Sequence, residues 1–373
     1  MNMHRLGWPL KACASLLLIV GATCPPVSLQ AAEVATPTEA AGTTGFDERL
    51  EAAFAELRQK NISSVVGIAH HNRPIVVREF GAAKDDGIAA RVTQVDVNSI
   101  TKTVTGAMTL KLVEQGRVRL DERLADIFAS VPSDKAGITV RHLLTHTAGF
   151  KESVGSDEER LNKRDFLLRA FRSTLESAPG VEYHYSNVGF SVLAAIIEEC
   201  SGKSYDKYLQ QDVLAGLDLS STGYMSVYDD ARSLRSRRGE TIMTASWGGH
   251  EPYWNLIGNG GLISTVEDFI HFRQAFKSGD IVGPELVRDA QRKHVAEDEA
   301  GTSFYGYGLV VQDFPQLGRA YWHDGGNDIF SAFWIDFVEQ GDILFTAAAD
   351  TRAGGATDVF RVLVRHLYGV ELP

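Results

Sequence analysis

The segment "DVNSITKTVTGAMTLKLVEQGRVRLDERL" (96–124) places a serine, Ser99, three residues before a lysine, Lys102, at the start of a helical apolar pattern. Unpaired N–H groups and the macrodipole at a helix N-terminus stabilise negative charge on a serine oxygen. If Lys102 is buried on the same helical face, its pKa falls and the neutral amine can accept the serine proton. A helix cap beside a solvated lysine fits equally well, and "SYDK" (204–207) repeats the spacing. The spacing alone leaves both interpretations open.

The segments on either side of this stretch predict the fold class. Upstream, β-branched residues alternate around the turn "NRP" (72–74), which predicts a β-hairpin. From residue 99 to about 220 the apolar periodicity is helical, and the last third returns to short apolar runs before a final helix, "DVFRVLVRHLYG" (358–369). The pattern predicts an α+β fold: an antiparallel sheet flanked by helices, built from both ends of the chain, with an inserted, mainly helical region.

The first residues predict an export signal rather than part of the fold. A short basic stretch leads into "ACASLLLIVGA" (12–22), which is too short for a stable membrane span, and small residues follow. We expect a signal peptide over 1–32 with cleavage near Ala31 or Ala32, a flexible tether over 33–45, and one folded domain over 46–373. Within that domain, 46–95 and 255–373 are expected to form the sheet region and 96–254 the helical region. The mature chain would be periplasmic or secreted.

Charge and cysteine content limit the partners of the chain. Removing residues 1–32, which contain two basic and no acidic side chains, changes the net charge from −11 to −13. An acidic chain of this kind is not expected to bind nucleic acid. Cys13 and Cys24 belong to the predicted signal, so the mature chain would keep only Cys200 and form no internal disulfide. Lipidation of Cys24 is an alternative, although the preceding "GAT" is a poor lipobox. We expect no stable membrane insertion beyond the signal, and nothing indicates an oligomeric state.

Several ordered motifs carry a resemblance to a known family. "NSITKTVTGAMTLKLVEQG" (98–116) is followed by "ITVRHLLTHTAGF" (138–150), "PGVEYHYSNVGFSVLAAIIEEC" (179–200), "GNGGLISTVEDFIHF" (258–272) and "WHDGGNDIFSAFWID" (322–336). In this order the chain resembles the serine beta-lactamase-like hydrolases of the class C and D-alanyl-D-alanine carboxypeptidase type, from about residue 46 to 370. The resemblance implies a beta-lactamase/transpeptidase-like fold.

The resemblance assigns roles to four polar residues. Ser99 would be the nucleophile, and Lys102 and Tyr185 would take its proton and return it to the leaving group. We expect the Lys102 ammonium to lower the pKa of Tyr185 toward a useful range. Asn187 would bind the acyl side chain of a substrate and hold Lys102 in place, although it also fits a helix cap. "YWN" (253–255) has the same spacing as Tyr185 and Asn187 but lacks their context, and we assign it no catalytic role.

The family's third motif corresponds to His323, Asp324 and Gly325, on a strand beside the serine. The resemblance places the oxyanion hole at the N–H groups of Ser99 and Gly326, and glycines let a substrate approach the strand closely. A histidine at the first position is the pattern of carboxypeptidases, esterases and aminopeptidases in this family. The carboxylate of Asp324 would repel a free substrate carboxylate, unless a protonated His323 offsets it.

Together these residues predict an exported serine hydrolase that cleaves an ester or amide through an acyl-enzyme on Ser99, with an esterase or D-amino-acid peptidase favoured. The alternatives are a true beta-lactamase and a penicillin-binding-like sensor or scaffold without turnover. A metal hydrolase using His142 and His146 of "HLLTH" is a further class, but no glutamate follows His142 and no third ligand is marked. We expect a small-molecule or peptide substrate and no metal or other cofactor.

Overall fold

The computed structural model describes residues 39–60, 62–81, 88–351 and 355–372. The predicted signal peptide, including Cys24, and the first part of the predicted tether lie outside these residues. Residues 39–45, which we predicted as tether, form the first turns of helix α1 (Glu39–Lys60). Phe46 and Leu50 are buried in this helix. Residues 39–45 read EAAGTTG, and their two glycines and two threonines are weak helix formers. This part of α1 therefore extends the helix upstream from its packed turns by propagation.

The centre of the molecule is an eight-stranded sheet in which every neighbouring pair is antiparallel. The strands, in chain order, are β1 (Ser64–His70), β2 (Val76–Phe80), β3 (Val95–Asp96), β4 (Ile263–Ser264), β5 (Val295–Ala296), β6 (Ser303–Tyr305), β7 (Val310–Phe314), β8 (Gly318–Gly326), β9 (Phe330–Phe337) and β10 (Asp342–Ala349). The large sheet has the order β2-β1-β10-β9-β8-β7-β6-β5, and β3 pairs with β4 separately. The predicted hairpin is confirmed as β1 and β2, and pairing of β1 with β10 confirms a sheet built from both ends of the chain.

Helices cover the sheet and fill the region between its two parts. After α1 they are α2 (Ile88–Val92), α3 (Thr101–Glu114), α4 (Leu124–Ile127), α5 (Val140–Leu144), α6 (Lys163–Arg172), α7 (Asn187–Ser201), α8 (Tyr205–Tyr208), α9 (Ile242–Ala245), α10 (Val266–Ser278), α11 (Pro284–Ala290) and α12 (Ala356–Tyr368). Helices α3, α5, α6, α7 and α12 form in segments whose periodicity predicted them. None of the helices in the described part of the chain combines the length and the apolar character needed to cross a membrane.

Both faces of the sheet are buried under helices. On β9, Phe333 stacks on Phe360 of α12 with ring centroids 4.3 Å apart, while the next residue, Trp334, packs on Phe269 of α10 at 5.8 Å. Successive strand residues point to opposite faces, so these contacts belong to two separate layers. Burial of each large apolar side chain contributes about 1.5–3 kcal/mol. The two layers together explain why the central strands are apolar on both sides.

Helix α3 runs through the interior and carries the site residues at its start. From Thr101 to Leu110 every residue of the helix is buried. Small side chains allow close contact on all sides: a β-carbon at Gly106 would lie 2.6 Å from the carbonyl oxygen of Tyr307. The turn before α3 packs against β8 and β9, and α3 itself packs against α7. Ser99 therefore lies at the junction of the sheet and the helical region.

Candidate active site

Ser99 lies in a sharp turn between β3 and α3. The turn is a short 3-10 helix, Asn98–Ile100. Asn98 has a φ of 49°, a left-handed conformation that asparagine tolerates better than most residues. The Asn98 N–H donates to the carboxylate of Asp96 at 2.7 Å, and the Thr101 hydroxyl donates to the Asn98 carbonyl at 2.6 Å. These local bonds hold the serine at the point where the strand becomes a helix.

The structure separates the two serine–lysine pairs that the sequence could not distinguish. In "SYDK", the Ser204 hydroxyl accepts the N–H of Lys207 and caps α8. In contrast, the residue before α3 is Ile100, and no described side chain caps that helix. The Ser99 hydroxyl instead accepts a hydrogen bond from Lys102 Nζ at 3.1 Å. The spacing is shared, but only the first pair brings the lysine amine to the serine oxygen.

Lys102 is buried to 0 % exposure and has a strongly perturbed pKa. Its Nζ also donates to the carbonyl oxygen of Asn259 at 2.8 Å and lies 4.7 Å from the centroid of the Tyr185 ring. Burial lowers the pKa of Lys102 from 10.5 to about 7, although nearby carboxylates, first that of Asp157, raise it. A large fraction of Lys102 is therefore neutral near pH 7 and able to take a proton from Ser99.

Tyr185 is the second group at the serine oxygen. Its hydroxyl hydrogen-bonds to the Ser99 side chain. We expected Lys102 to lower the pKa of Tyr185, and this expectation is wrong: burial raises that pKa well above 10, and the carboxylates of Asp324 and Glu152 raise it further, although the Ser99 bond opposes them. Tyr185 is thus a neutral phenol, which leaves Lys102 as the better base.

His146 holds the backbone on both sides of Tyr185. The sequence did not predict this contact. The N–H of His184 donates to the His146 carbonyl at 2.8 Å, and the N–H of Ser186 donates to His146 Nδ1 at 3.0 Å. The His146 ring centroid lies 4.5 Å from that of Tyr185. Burial lowers the pKa of His146 well below 6.5, as does nearby Lys102. An uncharged His146 therefore stays an acceptor at neutral pH.

Asn187 lies beside Tyr185 at the start of α7, but two roles expected of it belong to other residues. The cap of α7 is Ser186, whose hydroxyl accepts the N–H of Gly189 at 3.0 Å. The described hydrogen bonds of Lys102 go to Ser99 and Asn259, not to Asn187. The Asn187 Oδ1 atom is buried and has no hydrogen-bond partner among the described residues. The expected contact of Asn187 with the acyl side chain of a substrate stays a prediction.

Asn259 holds Lys102 through its backbone and is itself held by its side chain. The Asn259 Nδ2 donates to the Ser191 hydroxyl at 2.8 Å and to the Asn255 carbonyl at 2.6 Å. Asn255 belongs to "YWN", so this segment supports the lysine's neighbour instead of contacting the serine. The sequence marked this segment only as the motif "GNGG" (258–261). It could not predict the contact with Lys102, because every residue has a backbone carbonyl.

Residues 323–326 form an open edge of β8 beside Ser99. Strand β7 pairs with β8 only as far as Trp322, whereas β9 pairs as far as Gly326, so no described strand covers the other side of 323–326. The N–H of Asn327 donates to the carbonyl oxygen of Phe330, the first residue of β9, at 2.8 Å. Alternation along an antiparallel pair then directs the Gly326 N–H to the open edge. This N–H is available to a substrate oxygen.

The two glycines at this edge have different steric surroundings. A β-carbon at Gly325 would collide with the backbone nitrogen of Ser99. At Gly326 the nearest atom would be 3.5 Å away, an ordinary contact. Gly325 is therefore required for the approach of β8 to the serine, whereas the site has room for a β-carbon at Gly326.

His323 is buried, 2 % exposed, and uncharged. Its Nδ1 donates to the Asp324 carbonyl at 2.6 Å and its Nε2 accepts from the Tyr305 hydroxyl at 3.0 Å, an assignment that satisfies both partners. Burial, and then nearby Lys102, lower the pKa of His323 to about 3. A protonated His323, which we considered as an offset to Asp324, is therefore absent at neutral pH, and the Asp324 carboxylate raises the pKa of Lys102.

The metal-hydrolase alternative required His142 and His146 on one helical face, and that geometry is wrong. Helix α5 ends at Leu144, so His146 lies beyond it. His142 Nδ1 accepts the N–H of Thr139 at 3.2 Å as part of a helix cap. In the described ranges, one group of three potential metal ligands comes together at the end of β1, away from the serine turn: His70, His71 and Asp342.

Comparisons with known proteins agree with this architecture. The family model described as Beta-lactamase matches residues 48–356. The curated relative Penicillin-binding protein 4* of Bacillus subtilis (strain 168) is 25 % identical over 272 residues, which cover 66 % of this chain and 58 % of that protein. The chain spans about half the length of the curated relatives it matches.

Solved structures share the fold at lower identity. The Beta-lactamase/D-alanine Carboxypeptidase from Yersinia pestis has a TM-score of 0.71 at 22 % identity, covering 89 % of this chain and 99 % of its own. The D-amino acid amidase from Ochrobactrum anthropi SV3 has a TM-score of 0.70 at 20 % identity, covering 88 % and 98 %. Each of these two similarities covers close to nine tenths of the chain.

Proposed function

The chain belongs to the beta-lactamase family of serine hydrolases, and from this premise we propose that it is an exported hydrolase that cleaves an ester or amide bond through an acyl-enzyme on Ser99. The observation that carries the proposal is the 3.1 Å bond between Lys102 Nζ and Ser99 Oγ, with the Tyr185 hydroxyl on the same oxygen. A nucleophile, a base of matched pKa and a neutral acid thus meet at one atom.

Acylation follows from these positions. Neutral Lys102 takes the Ser99 proton as Oγ attacks the substrate carbonyl carbon. The carbonyl oxygen, now negatively charged, accepts hydrogen bonds from the N–H groups of Ser99 and Gly326 at the open edge of β8. When the tetrahedral intermediate collapses, the proton on Lys102 passes to the leaving group, directly or through the Tyr185 hydroxyl.

Deacylation repeats the same chemistry with water as the nucleophile. Lys102 is neutral again once the leaving group has taken its proton, so it can deprotonate a water molecule that attacks the Ser99 ester. The same two N–H groups stabilise the second tetrahedral intermediate. Collapse returns the proton to Ser99 Oγ and releases the carboxylic acid.

The charges around the site favour a substrate without a free carboxylate beside the scissile bond. Asp157, Glu152 and Asp324 all act on Lys102 as negative charges, and neutral His323 does not offset them. Two like charges about 4 Å apart repel by about 1 kcal/mol in water and by several times that at lower dielectric. We therefore propose esters and D-amino-acid amides or peptides ahead of beta-lactams. A fold shared with a D-amino acid amidase is consistent with such substrates.

A substrate panel tests the proposal. Short-chain p-nitrophenyl esters, D-amino-acid amides and nitrocefin are compared on the wild type, on Ser99→Ala and on Ser204→Ala, the matched serine of the other serine–lysine pair. We expect turnover of an ester or D-amide by the wild type and Ser204→Ala only. Retained turnover in Ser99→Ala overturns the mechanism, and nitrocefin hydrolysis at the rate of the esters overturns the specificity.

A labelling experiment, combined with the substrate panel, separates turnover from sensing. After labelling with a fluorescent penicillin, removal of free label should be followed by recovery of unmodified Ser99. Permanent modification together with no turnover of any substrate supports a sensor instead.

Export is tested by the N-terminus of protein recovered outside the cytoplasm, which should begin near Ala31 or Ala32.

A further inference from the structure

A buried carboxylate that the mechanism does not use lies directly beneath the serine turn. Asp96, the last residue of β3, is 2 % exposed. One oxygen accepts the Asn98 N–H at 2.7 Å, and the other accepts from Asn327 Nδ2 at 3.2 Å. The Ser246 side chain also hydrogen-bonds to the carboxyl group. Three donors from three separate segments therefore meet on one side chain.

Two of these donors flank the two N–H groups of the oxyanion hole. Asn98 immediately precedes Ser99, and Asn327 immediately follows Gly326. The Asn327 side chain also closes the turn after β8, since its Oδ1 accepts the N–H groups of the residues at 329 and 330 at 2.9 and 2.8 Å. The carboxylate thus connects the backbone before one oxyanion donor with the backbone after the other.

We propose that Asp96 is a positioning residue that sets the separation and direction of the Ser99 and Gly326 N–H groups. This inference rests on the proposed function, because it concerns the oxyanion hole of that reaction. Strands β3 and β8 are not paired with each other, and the Asp96 carboxylate adds a side-chain link between the segments that meet at the serine turn. An oxyanion hole stabilises a transition state only when both donors point at one oxygen.

Asp96 positions the Ser99 and Gly326 N–H groups in its ionised form. The Asn98 and Asn327 N–H groups can only donate, and each occupies one carboxylate oxygen, so a proton on the carboxyl group weakens one of these two acceptors. Burial raises the pKa of Asp96 to about 6, while the Ser246 and Asn98 bonds lower it and the charge of Asp157 raises it. Because the raised pKa favours the protonated form as the pH falls, positioning is intact above pH 6 and is lost below it.

The pH profile therefore has two acid steps. Turnover requires neutral Lys102, whose pKa is about 7, and full turnover also requires ionised Asp96, whose pKa is about 6. Between the two pKa values the logarithm of kcat/KM should rise with pH at a slope near one. The slope should approach two over about one to two pH units below pH 6, the span that a 10- to 100-fold loss of kcat allows. Asp96→Asn keeps the shape of the side chain and cannot titrate, so its slope should stay near one throughout.

The central experiment compares Asp96→Asn with Asp342→Asn, a control at a second buried carboxylate. Asp342 accepts from His70 and Tyr368 at 2.7 and 2.6 Å, outside the site. Asp96→Asn should lower kcat about 10- to 100-fold, less than deletion of an oxyanion donor, with KM nearly unchanged. Inhibition by phenylboronic acid, whose tetrahedral adduct places an oxygen in the hole, should weaken similarly. Asp342→Asn should change thermal stability but not kcat per folded molecule.

A second variant covers the case in which Asp96→Asn does not fold. Ser246→Ala keeps the carboxylate but removes a donor that favours its ionised form, so the lower acid step should move up by roughly half a pH unit or more. Unchanged kcat and an unchanged acid slope in Asp96→Asn, or an unmoved step in Ser246→Ala, overturn the inference. If instead Ser99→Ala retains turnover, the proposed function itself has failed, and the two failures are thus distinguishable.

Discussion

Replacing Lys102 with methionine should abolish turnover and stabilise the fold. The pKa of Lys102 is 10.5 in the unfolded chain and about 7 in the folded protein. The difference of about 3.5 units corresponds to about 5 kcal/mol, of which about 4 kcal/mol is present at pH 7. The unfolded lysine binds its proton below pH 10.5 and the folded one only below about 7, so this cost is absent above pH 10.5 and develops as the pH falls. Methionine removes it.

The gain is reduced by the hydrogen bond that methionine cannot make. The Asn259 carbonyl loses its 2.8 Å partner, at a cost of about 1–3 kcal/mol. We therefore expect Lys102→Met to be more stable than the wild type at pH 7 by roughly 1–3 kcal/mol, and the advantage to fall by about 3 kcal/mol between pH 7 and pH 10.

Urea unfolding at pH 7, 8.5 and 10 measures this difference. Lys111→Met is the matched control: Lys111 lies on the same helix but reaches the surface, where it bonds to Glu114. Its effect on stability should not follow the pH course expected for Lys102. A stability difference between Lys102→Met and the wild type that does not change with pH would refute the account of a buried, neutral lysine.

Three further predictions test the geometry and the charge of the site. Gly325→Ala should reduce fluorophosphonate labelling of Ser99 more than about 100-fold, because its β-carbon collides with the Ser99 nitrogen, whereas Gly326→Ala should label within a fewfold of wild type. His146→Leu should lower kcat about 10- to 100-fold, while His146→Asn, which keeps an acceptor for the Ser186 N–H and tolerates the φ of 58°, should retain most activity; equal losses would contradict the contact. Asp324→Asn should raise kcat/KM for benzylpenicillin relative to a neutral ester, and an unchanged ratio would show that this charge does not set specificity.

The fold was largely predictable because its signals are local. Alternation around the "NRP" turn, helical periods from 99 to about 220 and apolar runs in the last third each depend on neighbouring residues, and the corresponding elements formed. The start of α1 was not predictable from apolar periodicity, because its first turns at 39–45 precede the packed residues and extend by propagation.

The candidate site was predictable in its residue types but not in its electrostatics. Ser99, Lys102 and Tyr185 come together as the motif order implied. The direction of the Tyr185 pKa shift was wrong because burial, which the sequence does not show, outweighs the nearby lysine. Asn259 acts through a carbonyl and Asp96 through contacts with distant segments, so neither carries a residue-type signature.

The most direct test of the central claim is to identify the acylated residue during turnover. The protein is mixed with p-nitrophenyl acetate, quenched with acid within the first turnovers, and mapped by peptide mass spectrometry. We predict an acetyl group on Ser99 that appears with a burst of p-nitrophenol and disappears once the ester is consumed. Hydrolysis of the ester with no adduct on Ser99, or with the adduct on another residue, would contradict the account.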